Sequence, residues 1–414
     1  MQHASPWQRI MATAILFALA GCAPATVADV SKLTDQQWIA DVDELYATLK
    51  KTHKNLFHMN DEATFLAKVN AFNADIPDLE PAQILVRLME ITALAGDGHT
   101  NLKTWEALSA QLPIGFRWFG DDLRVIRTSG DAHWALGGKV VAIGGSSAAQ
   151  AYDRLKPIIQ QGANQYFSQV WSVIFMTLPD FLYGLGIAPF ADSIHFTVEV
   201  DDGSRQSGWL KPMDSAAEWV YIYPEPALYR QHLRASFEVA HLSDDSTLYV
   251  NFMRYPELRR NAADLFTRLD TLEVGRLIFD LRNNDGGDLT QARKYIFPEL
   301  VKRPRYNRKG VLYVLIGEFT YSAAIATTGD FMRLTEATLV GTPTTERPNG
   351  YAENGPFRLS ESGIRGSASA LYYTFVEGSD ADAIYPEVTI ETSWKQFRVG
   401  HDPVMEWVLA QPLP

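Results

Sequence analysis

The chain of 414 residues has one cysteine, Cys22, which excludes an intrachain disulfide framework. Positive charge is also scarce. Against 49 Asp and Glu stand 37 Lys and Arg, a net charge of −12 with no basic patch, which argues against nucleic acid as a partner. No His-Glu-x-x-His run occurs. Asp97 and His99, weighed as metal ligands, therefore lack companions, and neither a metal nor an organic cofactor is expected. Beyond the first twenty or so residues no run of about 18 apolar residues appears, so no later segment is expected to span a bilayer. What remains is globular in character: 46% hydrophobic, 12% aromatic and 21% charged residues, enough for a large core and about two or three domains.

The first residues have the make-up of a targeting segment. Arg9 precedes the apolar run from Met11 to Ala18, and Leu19-Ala20-Gly21-Cys22 follows. This resembles a bacterial lipoprotein signal, with the lone cysteine where the acylated residue falls. The resemblance implies lipidation of Cys22 and a membrane anchor with the chain facing the periplasm. Ala23, in place of an aspartate retention signal, points to the outer membrane. The plainer alternative is an ordinary cleaved secretory signal.

The stretch from Arg276 to Phe331 organises the rest. Leu277-Ile278-Phe279-Asp280-Leu281 reads as a buried strand that ends at Arg282 and turns through Asn283-Asn284-Asp285-Gly286-Gly287. A second apolar run, Val311 to Ile316, leads through Gly317-Glu318-Phe319-Thr320-Tyr321 to Ser322 and the small residues of a helix start. A serine at a strand-to-helix junction sits among free NH groups at the positive end of the helix dipole, which favours a developing oxyanion. The plain alternative is a helix N-cap.

Together, DLRNNDGG and TYSAA resemble the tail-specific (C-terminal processing) and tricorn-core serine proteases. That resemblance implies Ser322 as nucleophile, with the Ala323 amide and a glycine of the turn, Gly286 or Gly287, forming the oxyanion hole. It also points to a general base. A histidine follows Gly96-Asp97-Gly98 just past a helical segment, and the tricorn type carries its base in a similar D-x-H-T stretch, which selects His99. The C-terminal processing branch uses a lysine in the loop after the next strand, but Gly341 to Arg347 contains none. Arg347 cannot deprotonate to serve, and Lys395 is the only lysine after Ser322. A histidine suits the task near neutrality, with His401 as the fallback. The resemblance further implies an acidic residue shortly before the C-terminal Tyr385-Pro386-Glu387-Val388, best placed at Asp380 and second at Glu377. One departure stands out, since Gly98 occupies the position of the tricorn-type serine before the base.

The remaining pattern divides the chain into a signal (1–22), a tether (23–33), an N-terminal helical bundle (34–108), a β-rich module (109–235) and an α/β domain (236–414). Trp38, Val42, Leu45 and Leu49, then Phe65, Val69 and Phe72, then Ile84, Leu85, Leu88 and Ile91 recur at helical spacing. His53 and His58 near a helix end read as surface or capping histidines. Leu136 to Gly145 resembles the strand and turn of PDZ domains, and an ordinary hairpin fits it as well. The aromatic segment Tyr166–Phe190 reads as core in preference to a cleft wall. The expected fold is α/β, with a crotonase-like or Clp-protease-like arrangement implied by the resemblance for the last domain. The expected activity is peptide-bond hydrolysis on a peptide or protein substrate. The alternatives are an inactive envelope lipoprotein that binds peptides or a protein partner, and an esterase or amidase.

Overall fold

The computed structural model describes residues 27–108, 110–159, 164–213, 218–231, 235–242, 246–272 and 274–413. The signal with Cys22 and the first part of the tether lie outside the described residues.

Three helices open the chain. Helix α1 (Asp35–Thr52) starts at a capping box between Thr34 and Gln37 and buries Trp38, Val42, Leu45 and Leu49 on one stripe. Helix α2 (Glu62–Asp75) is capped by Asp61 and buries Phe65, Val69 and Phe72. Helix α3 (Pro81–Ala93) has its proline where no NH is needed. Val27, Val30 and Leu33 pack against this cluster, so the second half of the expected tether is fastened to the bundle by its apolar side chains. The bundle does not close on itself: Leu359, Ile364 and Ala368, from the far end of the chain, complete its core. The chain then forms the short strand β1 (Asn101–Leu102).

A seven-stranded sheet follows, from β2 (Ile114–Phe119), β3 (Asp122–Ser129), β4 (Lys139–Ile143), β5 (Ser146–Ser147), β6 (Ile194–Glu199), β7 (Arg205–Leu210) and β8 (Trp219–Tyr221). Its order is β2-β3-β4-β6-β7, with β5 on β4 and β8 on β3. Ile194, Phe196 and Val198 alternate inward along β6. Helix α4 (Gln165–Phe175) lies over the sheet, and Phe167, Val173, Ile174 and Phe175 are buried. The aromatic segment is thus mainly core.

The last domain is a six-stranded sheet. Strand β9 (Phe237–Leu242) is its antiparallel edge, beside the parallel strands β10 (Thr247–Phe252), β11 (Arg276–Asp280), β12 (Leu312–Ile316) and β13 (Thr338–Gly341). The chain leaves to form a hairpin of β14 (Asn349–Arg358) and β15 (Arg365–Thr374), which pairs with β1, and returns as β16 (Val388–Thr389) beside β13. Every residue of β11 and β12 is buried, as parallel strands covered on both faces require. Helices α5 (Leu258–Thr271), α6 (Leu289–Tyr295) and α7 (Ala323–Leu334) pack on one face. Helix α8 (Pro403–Leu409) packs on the other, through Val404, Met405 and Val408. The carboxyl ends of β11 and β12 lead into the two loops of the site, the usual place for function in such sheets.

Candidate active site

The loops after β11 and β12 are stitched together. Tyr321 N donates to Asn284 O at 3.0 Å, and Thr320 Oγ1 donates to Leu281 O at 2.9 Å. Ser322 emerges with φ 59° and ψ −121°. A non-glycine residue there costs about 1–3 kcal/mol and persists only where its surroundings impose it. Ser322 holds the N-cap position of α7, but its hydroxyl makes no capping bond to the helix. The turn that approaches it needs glycine. Gly286 and Gly287 have φ of 106° and 144°, and a Cβ on Gly286 would lie 2.6 Å from Ser322 Cβ.

His99 comes from the turn after α3. Asp97 Oδ1 accepts from His99 N at 3.0 Å and from Thr100 N at 2.7 Å, a side-chain turn that points the imidazole across to the sheet domain. His99 Nε2 lies 3.0 Å from Ser322 Oγ, although 223 positions separate the residues. The Tyr321 ring stacks on the imidazole at 4.9 Å and 14°, and its hydroxyl donates to Gly98 O at 2.8 Å. A Cβ at Gly98 would meet Tyr321 Oη at 3.1 Å and Phe167 Cε2 at 3.2 Å. The absence of a side chain at 98 thus makes room for this phenol.

The carboxylate at the imidazole is Glu346. Its Oε1 lies 3.0 Å from His99 Nδ1, and its Oε2 accepts from Ser322 N at 2.8 Å. With Nδ1–H held by the carboxylate, Nε2 is left as the acceptor for the serine proton. Burial works against a charged imidazole, but the charge and hydrogen bond of Glu346, with the more distant charges of Asp97 and Glu353, outweigh it and raise the His99 pKa above its ordinary value. The residues expected in this role are elsewhere. Asp380 and Glu377 are exposed in the loop after β15. The loop of Glu346 is instead fastened inward: Thr344 N donates to Ile384 O, Ile384 N donates to Thr344 Oγ1, and buried Asn164 donates to Thr344 O and Asp382 O. His401, the fallback base, is on the surface with its side chain 61% exposed, facing Glu406. Arg347 is exposed. Glu346 stands in the same Gly341–Arg347 loop that lacks a lysine, and a carboxylate at that place is what the sequence offers as a partner for a histidine.

The expected oxyanion donors divide. Gly286 N already donates to Asn284 Oδ1 at 3.0 Å. Ala323 N and Gly287 N have no acceptor among the described residues. Arg282 braces the turn from behind: its guanidinium is bonded to Asp280 and forks onto Asp402 at 2.8 Å through each nitrogen. A hydroxyl on a strained turn, an imidazole oriented by a carboxylate and open amides at a helix start together suit acyl transfer.

No family model matches the chain, and no curated protein matches it. Among solved structures it is similar to mature CPAF complexed with lactacystin, at 10% identity over 90% of this chain and 97% of that one, with a TM-score of 0.58. It is similar also to mature CPAF, at 9% identity over 90% and 96% of the two chains, with a TM-score of 0.59. The photosystem II D1 C-terminal processing protease is matched at 14% identity over 87% and 94%, with a TM-score of 0.38.

Proposed function

We propose that this chain, which has a tail-specific protease fold, is a serine peptidase working through Ser322, His99 and Glu346. The observation that supports this reading is the run of contacts from Ser322 Oγ through His99 to Glu346, at 3.0 Å on each side of the ring. Ser322 Oγ attacks a peptide carbonyl as His99 Nε2 takes its proton, and the same nitrogen returns the proton to the leaving amine. Glu346 holds the tautomer and stabilises the imidazolium. Ala323 N and Gly287 N are the oxyanion donors, because Gly286 N is already engaged.

The test is hydrolysis of a peptide panel by the wild type and by Ser322→Ala. Wild-type cleavage with stoichiometric fluorophosphonate labelling of Ser322 is expected, and Ser322→Ala is expected to abolish both while remaining folded. Undiminished hydrolysis by Ser322→Ala removes the assignment. Small esters run beside the peptides separate a peptidase from an esterase or amidase. The sequence motif at Cys22 extends the proposal to a periplasm-facing envelope lipoprotein, for which Cys22→Ser is expected to move the protein from the membrane fraction to the soluble one.

A further inference from the structure

We infer that Asp97, held in place by His53, is the positioning residue that sets the attitude of the His99 imidazole. The inference rests on the peptidase reading above.

His53 is the C-cap of α1, as a capping histidine was expected to be, but its side chain is fully buried, 0% exposed, and not on the surface. Its Nδ1 accepts from Asn55 N at 3.0 Å. The proton of a neutral ring therefore sits on Nε2, which lies 2.8 Å from Asp97 Oδ2. The other carboxylate oxygen of Asp97 accepts three donors: His99 N at 3.0 Å, Thr100 N at 2.7 Å and Ser369 Oγ at 2.5 Å. One buried carboxylate thus gathers donors from the end of α1, from the turn after α3 and from β15.

Two of those four donors are the main-chain amides of His99 and of the residue after it. They fix the backbone of the one residue whose ring meets Ser322 and Glu346 together. Asp97 touches none of the reacting atoms; it acts through the His99 backbone. Four donors on a buried carboxylate leave it one arrangement, and removing the His53 donor strands Oδ2 without a partner. The turn then shifts to recover a bond, and the imidazole shifts with it. Misplacement of a catalytic group by about 1 Å is enough to cost about 100-fold in rate.

The test uses the full chain with four variants, following kcat, KM, the rate of Ser322 labelling by a fluorophosphonate, and thermal unfolding. His53→Leu removes the donor, and kcat is expected to fall about 10- to 100-fold with KM changed less than about threefold. The labelling rate falls with kcat. His53→Gln, whose amide nitrogen reaches the place of Nε2, is expected to restore kcat to within about threefold of wild type. Ser369→Ala removes one donor and leaves the turn amides bound, with kcat expected to fall about three- to tenfold at unchanged KM. Asp97→Asn is expected to fall at least as far as His53→Leu. Ser369→Ala keeps the test decisive if His53→Leu does not fold. Wild-type kcat in folded His53→Leu or in Ser369→Ala overturns the inference, as does a His53→Gln variant no more active than His53→Leu. Undiminished hydrolysis by Ser322→Ala overturns the peptidase reading instead, so the two failures are distinguishable.

Discussion

Glu346 touches both members of the proposed Ser322–His99 pair, accepting from the Ser322 amide with one oxygen and holding His99 with the other. Glu346→Gln keeps an acceptor for one of these donors but not for both, and turns an NH₂ toward the other. A kcat loss of about 10⁴-fold is expected, as when a serine-protease aspartate is amidated and the tautomer is lost; steady-state kinetics check it. The charge has a second effect. Because His99 must be neutral to take the proton and its pKa is raised by Glu346, the acid limb of kcat/KM is expected above the ordinary histidine value of about 6.5. In Glu346→Gln the largest of the effects opposing burial is gone and only the charges of Asp97 and Glu353 remain against it, so the limb moves to lower pH; a pH–rate profile of each protein decides it. Gly286→Ala places a methyl group against Ser322 Cβ at a φ of 106°. The expected cost is about 1–3 kcal/mol in denaturant unfolding, with a loss of activity. Ser322, His99 and the double glycine were legible because each lies in a contiguous motif whose local backbone demands are written in neighbouring residues. Glu346 was not. Its role depends on which side of a loop faces inward, and that is decided by Thr344, Ile384 and Asn164, the last of which is 180 positions from the threonine it holds.

Among elements, the helices of the bundle and the parallel strands followed directly from apolar spacing, since each buries one stripe or both faces of a regular repeat. The hairpin β14–β15 did not. Gly350, Gly355 and Pro356 interrupt β14, and much of that strand is not buried, so neither period shows; β1, the outer partner of β15, lies some 265 positions earlier in the chain. The loop that carries Arg282 offers a test at this scale. Asp402 both caps α8 through Met405 N and forks onto buried Arg282. Asp402→Ala leaves that guanidinium with one carboxylate in place of two and the helix uncapped. A loss of about 3–5 kcal/mol is expected in urea unfolding.

For the molecule as a whole, the site exists only where separately folded parts are pressed together. Gly184 shows how close the approach is: a Cβ there would lie 2.5 Å from Ala82 O, at the start of the helix that leads to the His99 turn. Gly184→Ala forces α3 away from the β-rich module, with an expected cost of about 1–3 kcal/mol in thermal or denaturant unfolding and a lower kcat. The domain sequence was legible as shifts of pattern along the chain. The interfaces were not, because close approach between distant backbones leaves no periodic trace. The wide spacing of the three side chains along the polypeptide has a bearing on biosynthesis. A growing chain acquires its imidazole first, its hydroxyl far later and its orienting carboxylate last. On the proposed reading, a product of premature termination before Glu346 is crippled whatever else it carries, and a nascent chain with its serine and histidine already made stays harmless until that carboxylate has followed them.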